Sequence, residues 1–375
     1  MSPFTRRPAL RWLVPATAAA LLIGGVSAAG VLTANAGDPL PQRTPSQLLI
    51  DVQNARLTGL SGTIVEDADL GLPDLPGVGG SGSSDLSSLV SGSHTLRLWY
   101  GDPNHVRLSV LGSLGESDVV RNGTSLWTWS SKDKAATHRT VPLSSEETPK
   151  SLASASPLTP QQAADAALEA LSPSTKVSTD GTATVAGRSA YELLLQPRDS
   201  HSLVGSVRIA VDGATHVPTR VQVFAKNADN PSFEVGFTSF DPSEPSASMF
   251  RFNPPPGTKV TQKVTESGSA SGSKATPEAD TTPSGKGATA AEHASGRPRV
   301  VGSGWTSVVV TKVPGDATSG SSSMTQALET LPKVSGSWGS GHLLQGTLFS
   351  ALLTDDGRLV VGAVAPSALY AALAR

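Results

Sequence analysis

Val119-Val120-Arg121-Asn122-Gly123-Thr124-Ser125-Leu126-Trp127-Thr128-Trp129 is the stretch from which the fold is read. Two runs of β-branched and aromatic residues flank an Asn-Gly pair, which suits a type I′ turn, so the segment predicts a β-hairpin. Strand signals continue on both sides of it. Upstream, His94 to Tyr100 alternates, with Leu96, Leu98 and Tyr100 on one face and Arg97 and Trp99 on the other. Gly101-Asp102-Pro103-Asn104 then makes a turn, and His105 to Leu111 sets Val106, Leu108 and Val110 on one face. Downstream, Ala135 to Val141 returns as another strand. Further strands are read at Thr182 to Val185, Ser189 to Leu195, Val204 to Val211, Val217 to Phe224 and Phe233 to Phe240. With 37 Gly and 28 Pro in 375 residues, the composition also favours short strands and turns over a helical bundle.

Helices are few. Thr44-Pro45 reads as an N-cap with proline in the first helical position, opening a helix to Arg56 with Leu48, Leu49, Val52 and Ala55 on one side. Thr159-Pro160 repeats the signal before an Ala-rich stripe ending at Leu171. A strand follows the first helix from Leu60 to Asp69, and a Gly/Ser/Leu insert from Gly71 to Gly92 reads either as a mobile flap between two strands or as a disordered surface loop. Thr265 to Pro298 lacks large apolar residues and reads as a disordered linker within 261–299. Residues 300–375 regain pattern as a small α+β unit. Its expected elements are a strand Trp305 to Val313, a helix Thr325 to Leu331, and a hairpin of His342 to Leu353 with Leu359 to Val364. A last helix runs from Pro366 to Leu373.

The N-terminus carries Arg6, Arg7 and Arg11 before an uncharged apolar stretch from Trp12 to Leu32, followed by Ala34-Asn35-Ala36. Residues 1–36 therefore read as a signal peptide or an uncleaved membrane anchor, and the chain is expected on the extracytoplasmic face of the cell envelope. Arg6-Arg7 is followed by Pro8-Ala9-Leu10, a weak match to twin-arginine export. Cysteine is absent, which excludes a disulfide, a thiol nucleophile and lipid attachment at an N-terminal cysteine. A net charge of -2 gives no electrostatic reason to expect nucleic acid.

Residues 44–260 resemble the LolA-type lipoprotein carrier fold, shared with the sensor domain of MucB/RseB-type regulators. The resemblance is carried by the helix Pro45 to Arg56 leading into Gly59-Leu60-Ser61-Gly62-Thr63 and by the quoted hairpin, where Asn122 stands in place of the usual aspartate. Val211-Asp212-Gly213, Pro218-Thr219-Arg220-Val221 and the closing Phe250-Arg251-Phe252-Asn253-Pro254-Pro255 complete it. It implies an α+β, mostly antiparallel open half-barrel with short helices on its concave face. It also implies an apolar cavity for lipid or lipoprotein acyl chains, lined by Leu96, Leu98, Tyr100, Val106, Leu108, Val110, Trp127 and Trp129. The tail, through Val308 to Val313, Leu344 to Leu353 and Val360 to Pro366, resembles the smaller domain of the same regulators. That likeness implies an alternative role, an envelope-stress sensor acting on a sigma factor through a membrane anti-sigma partner.

No enzyme motif competes with this reading. The seven histidines show no metal-binding spacing, and neither a G-x-S-x-G elbow nor a phosphate loop is present. Glu66, Asp67 and Asp69 lack calcium-loop spacing and read as a solvated strand end. No catalytic residue, metal or cofactor is therefore expected.

Overall fold

A computed structural model describes residues 40–73, 89, 91–113, 115–143, 172–263, 298–313, 328 and 330–374. The N-terminal apolar stretch, most of the flap, the Ala-rich second helix, the linker and most of the helix expected at 325–331 lie outside them. No helix among the described residues is long and apolar enough to cross a membrane.

The first helix, α1, spans Pro45–Asn54. The Thr44 hydroxyl accepts from Gln47 N–H, and Thr44 N–H donates back to the Gln47 side chain, closing a capping box with proline behind it. The helix stops short of Arg56 because Ala55 turns to extended backbone, with φ -54° and ψ 130°.

A large sheet follows, built from β1 (Leu60–Ala68), β2 (Gly92–Asp102), β3 (His105–Gly112), β4 (Gly115–Asn122), β5 (Ser125–Ser130) and β6 (Ala135–Thr140). β7 (Thr175–Val185), β8 (Arg188–Pro197), β9 (Val204–Asp212), β10 (Pro218–Ala225), β11 (Pro231–Asp241) and β12 (Lys259–Lys263) complete it. Its order is β12-β6-β5-β4-β3-β2-β1-β11-β10-β9-β8-β7. Two meanders, β2–β6 and β7–β11, are joined through β1, which pairs β2 on one side and β11 on the other. Every pairing is antiparallel except that of β12 with β6. The edges β12 and β7 do not meet, so this is an open, mostly antiparallel sheet and not a closed barrel.

The β4–β5 hairpin forms as predicted, but one residue off the expected turn. Asn122 pairs with Ser125, so the loop is Gly123-Thr124. Gly123 has φ +61°, whereas Thr124 and Asn122 are not in the positive region, which is the pattern of a type II′ turn and not of type I′.

Between β11 and β12 the chain runs as a strap across the strands that separate them. Pro245 lies against Gly59, where a Cβ would stand 2.7 Å from the proline ring. Phe250, 4% exposed, ends a 3-10 turn (Ala247–Phe250) and packs beside Gly101 and His105. Phe252 then meets Trp127 and Trp129 at 5.3 and 6.2 Å between ring centres.

The small sheet is ordered β13-β14-β18-β17-β16-β15. Its strands are β13 (Arg299–Val301), β14 (Val308–Lys312), β15 (Lys333–Gly336), β16 (Gly339–Gln345), β17 (Ser350–Thr354) and β18 (Arg358–Gly362), and α2 (Pro366–Leu373) covers it. Leu352, Val360 and Leu369 are wholly buried between sheet and helix. The arm expected from His342 to Leu353 is two strands, because residues 346–349 turn back, with Gly346 N–H donating to Phe349 O. Trp305 likewise leaves strand geometry in a short 3-10 turn (Gly304–Thr306), and β14 begins only at Val308.

Candidate functional site

The site begins with alternation. Because neighbours in a strand point to opposite faces, pairing register sorts residues into cross-strand rows. One face of β1–β4 carries the rows Leu60–Tyr100–Val106–Arg121, Gly62–Leu98–Leu108–Val119 and Ile64–Leu96–Val110–Ser117. Six of the eight residues expected to line a cavity (Leu96, Leu98, Tyr100, Val106, Leu108 and Val110) therefore share one contiguous patch. Leu96, Tyr100 and Val110 are buried, while Leu98, Val106 and Leu108 are half-buried.

Trp127 and Trp129 are not in that patch. They pair with Val120 and Asp118, in rows with Arg107 and Ser109, and so face the opposite side. There they hold the strap through Phe252, and Trp127 also stacks on His138 at 4.4 Å. Alternation within β5 alone separates the tryptophans from Leu126 and Thr128. Which set joins Leu96 depends on the pairing register, which the sequence does not display.

The apolar face continues past β1. The next row is His94–Glu66–Val235–Val221–Ile209–Leu193, across β2, β1, β11, β10, β9 and β8. α1 lies on this same face, with Leu48 packed against Tyr191, Leu193 and Val211. The other face of β8–β10 is charged: Arg208 and Arg220 bind Glu192 at 3.1 and 3.3 Å, and Arg188 binds Asp212 at 2.6 Å. The sheet thus has one mostly apolar face, while its other face is ionic at β8–β10 and carries the aromatic seat of the strap at β5.

Within the apolar row lies one acid–base pair that the sequence reading missed. Glu66 and His94 are 5% and 2% exposed, and Glu66 Oε2 meets His94 Nδ1 at 2.9 Å. Glu66 Oε1 is buried with no hydrogen-bond partner among the described residues. Burial raises the Glu66 carboxyl above its ordinary range; the hydrogen bond and charge of His94 work against this, and the charge of Asp67 adds to it. Glu66 is thus not part of a solvated strand end, although Asp67 beside it is exposed. The signal was its place in the alternation, two residues from Ile64 and two from Ala68.

Two other polar groupings have chemical shape. Ser125 Oγ lies 2.8 Å from His138 Nε2, and His138 Nδ1 lies 2.8 Å from Gln262 Oε1. This orders nucleophile, base and orienting group, but the neutral amide oxygen stabilises the imidazolium that forms when the base takes a proton less than a carboxylate would. The chain ties β12 to β6 and β5. In the small unit a cleft is lined by Leu328, His342, Leu353, Thr354, Asp355 and Gly357. Its Asp355 is held below the usual carboxylate range, chiefly by the Ser340 hydroxyl. Among the described residues no three His, Cys, Asp or Glu side chains are placed to hold a metal ion.

The sequence matches no protein-family model and no curated protein. In fold, the chain is similar to solved structures of MucB. For MucB in complex with MucA(peri) the TM-score is 0.40 and identity 15%, covering 88% of this chain and 97% of that one. For the Pseudomonas aeruginosa MucA/MucB complex the TM-score is 0.38 and identity 16%, covering 88% and 94%. A LolA superfamily protein of Nitrosomonas europaea is similar at TM-score 0.21 and 9% identity, over 56% of this chain and 99% of that one. At such scores these likenesses concern the fold alone and carry no functional argument.

Proposed function

We propose that this protein is a non-enzymatic binding protein that holds acyl chains of lipids or lipoproteins against the apolar face of its large sheet. The observation that carries this reading is the patch of Leu96, Leu98, Tyr100, Val106, Leu108 and Val110, continuous with the apolar positions of β8–β11. A wide, mostly apolar surface, with Glu66–His94 inside it and Arg121 and Ser117 at its β4 edge, suits a long apolar ligand better than a polar substrate. The Arg-flanked apolar N-terminus supports a place outside the cytoplasmic membrane, secreted or held by that segment. Native mass spectrometry of the purified protein should find co-purified lipid, and the protein should take up a fluorescent fatty acid. Absence of both would dismiss the reading.

A second reading is favoured by the core that Leu348, Trp305, Phe349 and Ala363 of the small unit share with Val204, Val207 and Val221 of the large sheet, through which an occupied face would be felt at a distance. In it the protein is an envelope-stress sensor acting through a membrane anti-sigma partner. A pull-down from the membrane fraction that recovers no such partner, with an unchanged stress response on deletion, would exclude it.

A further inference from the structure

The apolar face is continuous across the large sheet; its β1–β2 end shares a core with Leu57, Val185, Ala190 and Ala210, with Leu98 and Val106 half-buried against it, and its β8–β11 half is covered by the small unit. Beside the row from His94 to Leu193 runs a second, Ala68–Phe233–Val223–Val207–Leu195. Against the β8–β11 portion of these rows the small unit presses Leu348, Phe349, Trp305 and Ala363, which share one core with Val204, Val207 and Val221. Leu348, at the tip of the turn that interrupts the expected β16–β17 arm, is 8% exposed.

Polar contacts border this apolar seal. Thr347 N–H donates to Leu70 O at 2.8 Å, just past the end of β1. Gly346 approaches so closely that a Cβ there would stand 2.7 Å from the same oxygen. Trp305 Nε1–H donates to Thr175 Oγ1 at 2.8 Å, and the Thr306 hydroxyl to Asp199 at 3.1 Å. Leu203 N–H donates to Ala363 O at 2.8 Å beside an antiparallel bridge between Ser202 and Val364.

We infer that the small unit is an intramolecular occupant of the acyl-binding face: its Leu348–Phe349 turn covers the β8–β11 surface onto which a long chain bound at β1–β3 would extend. The inference rests on the acyl-binding reading and adds its regulation. With strands about 4.8 Å apart, β3 to β1 offers about 10 Å of apolar width, and β3 to β8 about 29 Å. A short chain fits the first, whereas a long chain must displace the turn. A ligand that binds only the undocked state releases the small unit by the same factor by which docking weakens the ligand.

The cysteine-free chain allows a direct test. Ser202 and Val364 form a bridge flanked by the Leu203–Ala363 hydrogen bond, a geometry that sets Cα atoms about 4.5 Å apart and within disulfide range. Full-length Ser202→Cys/Val364→Cys, oxidised and reduced, is titrated with fluorescent octadecanoic and octanoic acids beside wild type and Leu348→Asp. The oxidised form should bind the long probe about tenfold more weakly than the reduced form, and Leu348→Asp about tenfold more tightly than wild type. The short probe should bind all forms alike. Equal long-probe affinity for the oxidised and reduced forms overturns the inference and leaves the acyl-binding reading intact. Uptake of neither probe by any form overturns both. Should Leu348→Asp fail to fold, the oxidised and reduced pair decides alone.

Discussion

Glu66 is an acid where its neighbours in space are Ile64, Ala68, Leu96 and Val235, and among the described residues it is His94 that answers its charge. Its carboxyl is raised, by burial first, so the folded chain keeps a proton that the unfolded chain has lost above about pH 4.3. This contribution to stability is complete below that pH and is lost as pH rises through the folded value. Glu66→Gln should remove the slope: in urea unfolding, its stability relative to wild type should improve as pH rises above about 4.3 until the folded carboxyl has lost its proton. Parallel profiles would show that the Glu66 carboxyl is not raised as described. Asp212 has the opposite sign. Burial works to raise its carboxyl, yet Arg188, together with the Thr215 N–H and hydroxyl, holds it below the usual range. Its stabilisation is present above about pH 3.9 and lost as pH falls through the lower folded value. Arg188→Ala strands a carboxylate that is 1% exposed and should cost about 3 kcal/mol at neutral pH, shrinking in acid. A loss that stays constant from neutral to strongly acid pH would assign the effect to packing against Phe240 instead.

At the scale of elements, the strap is the part that ordinary sheet rules do not require. β12 adds to the sheet edge in parallel, with all five of its residues exposed, so side-chain anchors must supply what its own burial does not. Phe252 against the two tryptophans and the Ser125–His138–Gln262 chain are those anchors. Phe252→Ala should destabilise the protein by about 2 kcal/mol and speed hydrogen exchange of the β12 amides, leaving β8–β10 protected. Uniform acceleration would mean that the strap is not a separate element. The described strands and the capped helix α1 were legible because alternation and the Thr44-Pro45 start are local signals. Sides of the sheet were legible only within a strand: Leu96, Leu98 and Tyr100 could be grouped, but joining them to Trp127 required a register. The strap motif was visible as Phe250-Arg251-Phe252, whereas its seat on β5 is a contact over more than one hundred residues. The turn at Leu348 was read as strand because its apolar residues face a second sheet, a partner that strand periodicity does not reveal.

The two sheets are far apart in sequence, yet at the scale of the whole molecule they share a core. Leu348, Trp305, Phe349 and Ala363 are packed among strands β8–β11, and backbone bonds at Leu70 and Leu203 cross between the sheets. Burial of Leu348 alone is worth about 2 kcal/mol, and the other three side chains add to it. Among the described residues the small unit's core is gathered between six short strands and α2 and is modest, so the unit should depend on this contact. Calorimetry should therefore record one unfolding transition for the wild type, and Trp305→Ala should lower its midpoint without splitting it. Leu348→Asp places a charge in the seal and should separate the transition into two, the earlier belonging to the small unit. Proteolytic cutting within residues 265–298 offers the complementary measurement. If the seal and not the connecting chain holds the units together, the two fragments should elute together on size exclusion, and Leu348→Asp should part them. Fragments of the wild type that elute separately would leave the shared core too weak to couple an occupied apolar face to the small sheet.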